Sequence, residues 1–316
     1  MSEADSWLGV ELRHLAALRA VVDQGSFGAA ADSLGYTQSA VSQQIATLER
    51  AVGVKLLERP GGPRRVSLTE AGEVLLGHAQ AIMARLNAAQ ADLADLSDGA
   101  AGRLRVGTYQ SVGTRILPLV MRDFHQQWPK VEVTLRESND DEELLTMVER
   151  GDLDIAFTVL PVPDGPFEAV ELMRDPFVLL AVPGSELADQ ARPPTLRDLD
   201  GVPLIAGRTC RAMAQLEAVL STRGVEPSVV FRSDDNGTIH GMVSAGVGCA
   251  VMPRLAVDDT YDGVVVREFG GREHVRLIAV AWHKDRYHSA AAQSFVDTAR
   301  DICADLAEEP PESLVA

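Results

Sequence analysis

A chain of 316 residues, 46% hydrophobic and 24% charged, is too apolar to be disordered throughout and long enough to bury cores in two or three units. No apolar run approaches the roughly 20 residues that span a bilayer, which excludes a membrane protein. The formal net charge of −17 argues on average against nucleic acid. Yet residues 1–68 hold seven Lys/Arg and seven Asp/Glu, residues 69–99 one and five, and residues 100–316 21 and 34, so bases concentrate in the first segment.

The opening MSEADSWLGVELRH has three acids before any base and no continuous apolar stretch; no secretory signal is expected, and the expected location is cytoplasmic. Leu12, Leu15, Leu18 and Val22 recur at three- and four-residue spacing and predict a helix over 11–24, ended by Gln24-Gly25. A short second helix follows, with Ser26 as cap, Phe27, Ala30, Ala31 and Leu34 facing inward, and Gly35 permitting a tight turn. Thr37 caps a third helix from Gln38 to Val52. There Val41, Ile45 and Leu48 form one apolar stripe, while Gln38, Ser39, Ser42 and Gln43 point the other way. Two helices joined by a glycine turn, the second offering short polar side chains near its start, fit a helix-turn-helix whose second helix enters the major groove. Gln can pair with both edge groups of adenine, and Ser can donate or accept. The plainer alternative is a solvated polar face.

The neighbouring residues favour DNA. Between 50 and 65, Arg50, Lys55, Arg59, Arg64 and Arg65 stand against the single acid Glu58. The run from Arg59 to Arg65, Arg-Pro-Gly-Gly-Pro-Arg-Arg, reads as a hairpin tip flanked by Val66 and Leu68. Such a basic wing could clamp phosphates through Arg59, Arg64 and Arg65.

Thr69 caps a long helix to Leu96, with Glu70 and Glu73 where the helix dipole favours acids. Leu75, Ala79, Ile82, Leu86, Ala89, Leu93 and Leu96 alternate four and three residues apart, which is a heptad seam on a helix roughly 40 Å long. So narrow a stripe needs something to cover it. Packing on its own downstream domain is one option; a second copy of the chain is the preferred one, with Leu75, Ala79, Ile82, Leu86 and Leu93 as dimerisation residues. Residues 98–102 then form a hinge.

These hundred residues resemble the winged helix-turn-helix and linker helix of LysR-type transcriptional regulators. The carrying residues are Leu12 and Leu15, the run Gly25-Ser-Phe-Gly-Ala-Ala-Ala31, Leu34, the run Gln38-Ser-Ala-Val-Ser-Gln-Gln-Ile45, Leu48-Glu49, Gly53-Val-Lys-Leu-Leu57, Arg59, Leu68-Thr69 and Ala71-Gly72. Leu57 replaces a frequent aromatic, and the wing is richer in proline than is usual in the family.

From Arg103 onward short apolar runs alternate with helical patterns. Strands are expected at 104–107, 131–135, 153–158, 177–182, 202–206, 228–231, 249–252, 264–266 and 275–281, and helices at 112–127, 142–150, 210–222 and 289–306. This alternation argues for α/β lobes with open, largely parallel sheets. The resemblance extends here through the run Arg103-Leu-Arg-Val-Gly107, Leu117-Pro118, Gly151-Asp-Leu-Asp-Ile-Ala156 and Gly246-Val-Gly-Cys-Ala-Val-Met-Pro253. It implies a two-lobed effector domain similar to periplasmic solute-binding proteins. The expected division is a DNA-binding domain at 1–68, a linker helix at 69–97, lobe I at 103–160 and 270–307, lobe II at 161–269, and a disordered tail at 308–316.

Ligands of such sheets bind at the carboxyl ends of strands, between lobes. Position nominates Thr108, Gln110, Ser111, Ser138 and Asn139 in lobe I, and Arg208, Thr209, Asp234, Asp235 and Thr238 in lobe II. Helix N-termini with Ser, Thr and Arg favour an anion, whereas Asp234 and Asp235 would repel one, so a ligand with an anionic end and a hydroxyl or amino end is expected if those aspartates face the cleft. A solvated loop or helix cap is their plainer role.

Two other readings compete. An enzyme lacks support, since G-x-S-x-G, a phosphate loop, H-E-x-x-H and G-x-G-x-x-G are all missing and the seven histidines are scattered; no cofactor or metal is expected. A thiol redox sensor would use Cys210, at a predicted helix start between Arg208 and Arg211 where a thiolate is favoured. No second cysteine lies near it in sequence, and a small buried hydrophobe is the expected role for all three, Cys210, Cys249 and Cys303. The resulting expectation is a one-component transcription factor. Its partners are a double-stranded DNA operator, a small-molecule effector, further copies of the chain in a homodimer or homotetramer, and RNA polymerase, with no membrane involved.

Overall fold

Three short helices open the chain where apolar periodicity lies between glycine stops: α1 (Leu12–Gln24), α2 (Phe27–Leu34) and α3 (Gln38–Val52). Each ends on a glycine of positive φ, Gly25 at 70°, Gly35 at 69° and Gly53 at 79°, a backbone state that other residues rarely adopt. Ser26 Oγ accepts the Ala29 N–H and Thr37 Oγ1 accepts that of Ala40, capping α2 and α3 as expected. The computed structural model describes residues 7–58, 66–98, 102–208, 211–270, 275–286 and 288–308. The chain forms two units, Met1–Ala91 and Asp92–Ala316.

In the first unit, β1 (Leu57–Glu58) and β2 (Ser67–Leu68) pair antiparallel, with Leu57 opposite Leu68. The expected wing tip, with Arg59, Arg64 and Arg65, lies outside the described residues. Helix α4 (Glu70–Asp98) starts where Thr69 Oγ1 accepts the Gly72 N–H at 3.0 Å and donates to the Lys55 carbonyl at 2.7 Å. Gly72 permits this approach, because a Cβ there would sit 2.1 Å from the Leu56 carbonyl oxygen.

The heptad stripe of α4 divides. Leu75 and Ala79 are buried in the head core with Leu15, Leu18, Ile45 and Leu56, so these two do not belong to an open dimerisation seam: the first turns of α4 are covered by their own head. Ile82, Leu86 and Leu93 stay exposed, at 47%, 46% and 67%.

The second unit contains β3 (Arg103–Thr108), α5 (Gln110–Arg115), α6 (Leu117–Gln127), β4 (Glu132–Glu137), α7 (Asp141–Arg150), β5 (Ile155–Leu160) and β6 (Phe167–Ala181). It continues with α8 (Glu186–Asp189), β7 (Pro203–Ala206), α9 (Arg211–Thr222), β8 (Ser228–Arg232), α10 (Asn236–Ser244), β9 (Cys249–Pro253), β10 (Val265–Glu268), β11 (Val275–His283) and α11 (Ala290–Glu308). The helix expected at 112–127 is two helices that meet at Ile116. Pro118, in the first turn of α6, has no N–H to continue the ladder of α5.

Among the described residues the strands run β4-β3-β5-β11-β6-β9-β7-β8, with β10 beside β6. At each end stands a parallel block, β4-β3-β5 and β8-β7-β9, the arrangement that strand–helix alternation leads one to expect. Between them β11 and β6 are antiparallel to their neighbours, so the sheet as a whole is mixed. Strand β6 itself serves both halves: residues 167–176 pair with β11, and residues 177–181 lie buried between β9 and β10. Helix α11 packs on α6 through Phe295 and Phe124, whose rings meet edge-on at 5.2 Å.

Candidate functional site

On the head, Val41, Ile45 and Leu48 are fully buried, which fixes the rotation of α3. Gln38, Ser39 and Gln43 are thereby exposed and Ser42 is half-buried. The four side chains nominated for base contact thus share the outward face near the start of α3. Thr37 Oγ1 and Ser39 Oγ lie 3.1 Å apart at the cap.

Glu49 anchors this helix from within. Its Oε1 accepts the Leu56 and Leu57 N–H groups at 3.0 and 3.5 Å, and its Oε2 accepts Lys55 Nζ at 2.8 Å. Burial alone would push the Glu49 carboxyl up, but Lys55 and the two amides outweigh it and hold it below the usual range. Lys55 is consequently a paired cation, tied to the end of α3.

In the second unit both parallel blocks share one strand order, with the first strand between the second and the third, the order in which a crevice is expected outside the carboxyl ends of the first and third strands, where the connections leaving them part. A cavity of about 70 Å³ opens between the blocks. Tyr109, Gln110 and Ser111 enter it from the end of β3, Val159 from β5, Ile205 and Gly207 from β7, and Met252 and Pro253 from β9.

Two buried charge clusters border the cavity. Arg276 and Asp175 stand opposite each other on β11 and β6, with Nε to Oδ2 at 2.7 Å. Arg276 also donates from Nη2 to Ser111 Oγ at 2.7 Å, and its guanidinium lies 5.3 Å from the Tyr109 ring centre. Asp175 Oδ1 accepts the Leu255 N–H at 3.0 Å. Across the cavity, Arg211 Nη2 donates to Asp141 Oδ2 at 2.6 Å, to Thr158 Oγ1 at 3.1 Å and to the Val159 carbonyl. Asp141 Oδ2 also accepts from Thr158 Oγ1 at 3.0 Å.

Hydrogen bonds link the two blocks directly. Gln110 Nε2 donates to Asp235 Oδ2 at 3.3 Å, and Gln110 Oε1 accepts the Asn236 N–H at 3.1 Å. Asn139 Nδ2 donates to the Asp234 carbonyl at 2.8 Å, and Arg115 Nη2 to that of Val257 at 2.8 Å.

Of the nominated ligand residues, Gln110, Ser111, Asn139 and Asp234 line the cavity. Asp235 caps α10 by accepting the Thr238 N–H at 2.7 Å, and this amide with Gln110 holds its carboxyl below the usual range. The helix-cap role therefore describes Asp235 and Thr238. Ser138 Oγ turns to Glu143 Oε2 at 2.5 Å, outside the cavity lining. Thr108 is buried behind the lining, with Oγ1 3.5 Å from the Tyr109 carbonyl. Arg208 is exposed and gives its N–H to Asp234 Oδ1 at 2.7 Å. Thr209 and Cys210 lie outside the described residues. Cys249 and Cys303 are buried, and burial pushes their thiols up to about 11 and about 12, the inert state expected of packed cysteines.

The nominations miss Arg276, Asp175, Arg211 and Asp141. A signal existed for Arg276, a charged residue inside the otherwise apolar run Val275–Trp282, which calls for a buried partner, whereas Asp175 stands beside Arg174 in a strand that also carries Glu168 and Glu171.

Comparison with known proteins matches residues 12–73 to the bacterial regulatory helix-turn-helix protein, lysR family, and residues 97–304 to the LysR substrate binding domain. A probable hydrogen peroxide-inducible genes activator of Mycobacterium leprae is 32% identical over 283 residues, covering 88% of this chain and 89% of that one. A full-length OxyR variant of Pseudomonas aeruginosa superposes with a TM-score of 0.65 at 24% identity, covering 92% of this chain and 98% of that chain. Full-length CbnR complexed with its target DNA superposes with a TM-score of 0.65 at 22% identity, covering 92% and 99%. The two structures, at these identities, speak for the fold. With both parts matched in order, the chain belongs to the LysR family and is a DNA-binding transcriptional regulator with an effector-binding domain.

Proposed function

We propose that two or four copies of the chain join through the exposed stretch of α4, so that paired heads read an operator of dyad symmetry. Gln38, Ser39, Ser42 and Gln43 read base edges, while Arg59, Arg64 and Arg65 hold phosphates. The observation that carries this reading is the outward face of α3, polar and exposed opposite a fully buried stripe. The superposition on CbnR in complex with its target DNA supports it. The head comprises residues 1–68 and the linker 69–97; lobe I draws on 103–160 and 270–307, lobe II on 161–269. A small molecule in the cavity, touching Gln110, Ser111, Asn139 and Asp234, changes how copies associate, and thereby DNA bending or contact with RNA polymerase in the cytoplasm. Such coupling needs a ligand that binds one assembly state more tightly than the other.

Fluorescence anisotropy on duplexes tests the assignment. Gln43→Ala should relax preference at one base pair by about 1–3 kcal/mol. Arg64→Ala should weaken all sequences alike and flatten the salt dependence by about one unit of slope. Equal loss of selectivity in both variants would contradict the division of roles.

A second reading, peroxide sensing at Cys210, is favoured by the similarity to the probable hydrogen peroxide-inducible genes activator of Mycobacterium leprae and by Arg211, adjacent in sequence, at the cavity wall. The Cys210 thiolate would attack one peroxide oxygen and break the O–O bond. Sulfur is oxidised to sulfenic acid, and the departing hydroxide takes up a proton as water. A Cys210→Ser chain whose operator binding still responds to peroxide would remove this reading.

A further inference from the structure

Helix α5 is gripped at both ends by the opposite block. At its start Gln110 Oε1 accepts the Asn236 N–H at 3.1 Å, and at its end Arg115 Nη2 donates to the Val257 carbonyl at 2.8 Å. Asn236 opens α10, whereas Val257 follows the 254–256 helical turn beyond β9. The two grips thus reach separate stretches of chain.

His240 joins those stretches. It is 1% exposed and stands one helical turn after Asn236, outside the cavity lining. Its Nε2 accepts the Asp258 N–H at 3.0 Å, and its Nδ1 lies 2.7 Å from the Asn236 carbonyl oxygen. A backbone amide only donates and a carbonyl only accepts, so Nδ1 carries the ring proton and Nε2 does not. With both nitrogens used, the ring is held in one orientation. Ile239 and Val257 also pack in one apolar cluster, but apolar contact is non-directional and does not fix which backbone group of one stretch meets which of the other.

We infer that His240 is the positioning residue of a latch that makes the two grips on α5 close and open together. The hydrogen bonds form a ring: Gln110 to Asn236, Asn236 to His240, His240 to Asp258, and Val257 to Arg115, with α5 completing the circuit. Within a ring each bond joins groups that the others already hold close, so little loop-closure entropy opposes it; cutting one removes that advantage from the rest. Gln110 and Asn236 line the cavity, and Arg115, His240 and Val257 do not. A displacement at the cavity wall is thereby carried to the far end of α5, which gives the effector unit a two-state element.

Hydrogen exchange of the full chain at neutral pH, read by mass spectrometry, tests the latch. The reporter is α5, because among the described residues neither hydrogen bond of the His240 ring reaches it. His240→Phe keeps a planar ring and removes both nitrogens; the α5 amides should then exchange roughly fivefold faster or more, as in Arg115→Ala. His240→Gln, whose amide can donate to one carbonyl and accept from one N–H, should return α5 to within about twofold of the wild-type rate. Acceleration confined to residues 257–262 would show that His240 holds only its own loop and would overturn the latch, and so would His240→Gln exchanging like His240→Phe. If His240→Phe gives no cooperative melt, Arg115→Ala decides by reciprocity: it should speed exchange in α10 as well as in α5, and α10 amides at the wild-type rate would overturn the proposal.

Discussion

The head and the effector unit put their polar groups in opposite places. In the head the core around Leu18, Val41, Ile45 and Leu56 is apolar, and the side chains assigned to DNA stand outside it. In the effector unit the groups around the cavity are buried: Arg276, Asp175, Ser111, Asp141 and Thr158 are all shielded from solvent. A head can therefore change what it reads without disturbing how it folds. The effector unit cannot alter its cavity without altering its stability, and this ties ligand and fold together.

The sharpest way to break this contrast is Arg276→Ala. It leaves Asp175 buried without its partner and should cost the effector unit about 3–5 kcal/mol, read by urea denaturation of the full chain. Replacing both residues by apolar ones should restore much of that loss. Wild-type stability in the single variant would place the pair outside the folding core.

Glu49 and His14 are the buried polar side chains among the described residues of the head, and Glu49→Gln should cost about 1–3 kcal/mol at neutral pH. Because its folded pKa is depressed, its contribution is full above the unfolded carboxyl value and disappears as pH falls through the folded one. The gap between wild type and variant in chemical denaturation should narrow on acidification across that window. A gap independent of pH would show that the charge is not what stabilises the end of α3.

Smallest should be the effect of Gln43→Ala on stability, within about 0.5 kcal/mol, even though the same change alters base preference. A larger loss in a thermal melt would mean that α3's outer face also holds the head together.

This contrast also explains what the amino-acid sequence reveals. Apolar periodicity and caps expose α1, α2 and α3 because the determinants are local: Ser26, Thr37, Gly25 and Gly35 each act within a few residues. The stripe of α4 is equally regular, but no local feature marks where Leu75 and Ala79 cease to pack on their own head and Ile82 begins to face outward. In the effector unit Gln110, Ser111 and Asn139 are found by their place after strands. Arg276 and Asp175 are not, since their pairing spans 101 positions and depends on strand register. Arg211 stands beside Cys210 as a neighbour that favours a thiolate; its partner Asp141 lies 70 positions away. Long-range register, not composition, builds the cavity.

The most direct test of the paired-head account is in vitro selection from random duplexes, run side by side with the wild-type chain and Leu86→Asp. The wild type should enrich two inverted half-sites at a fixed helical spacing, and Leu86→Asp, monomeric by light scattering, should lose the second half-site. Enrichment of a single undivided site by both chains, or of none, would contradict it.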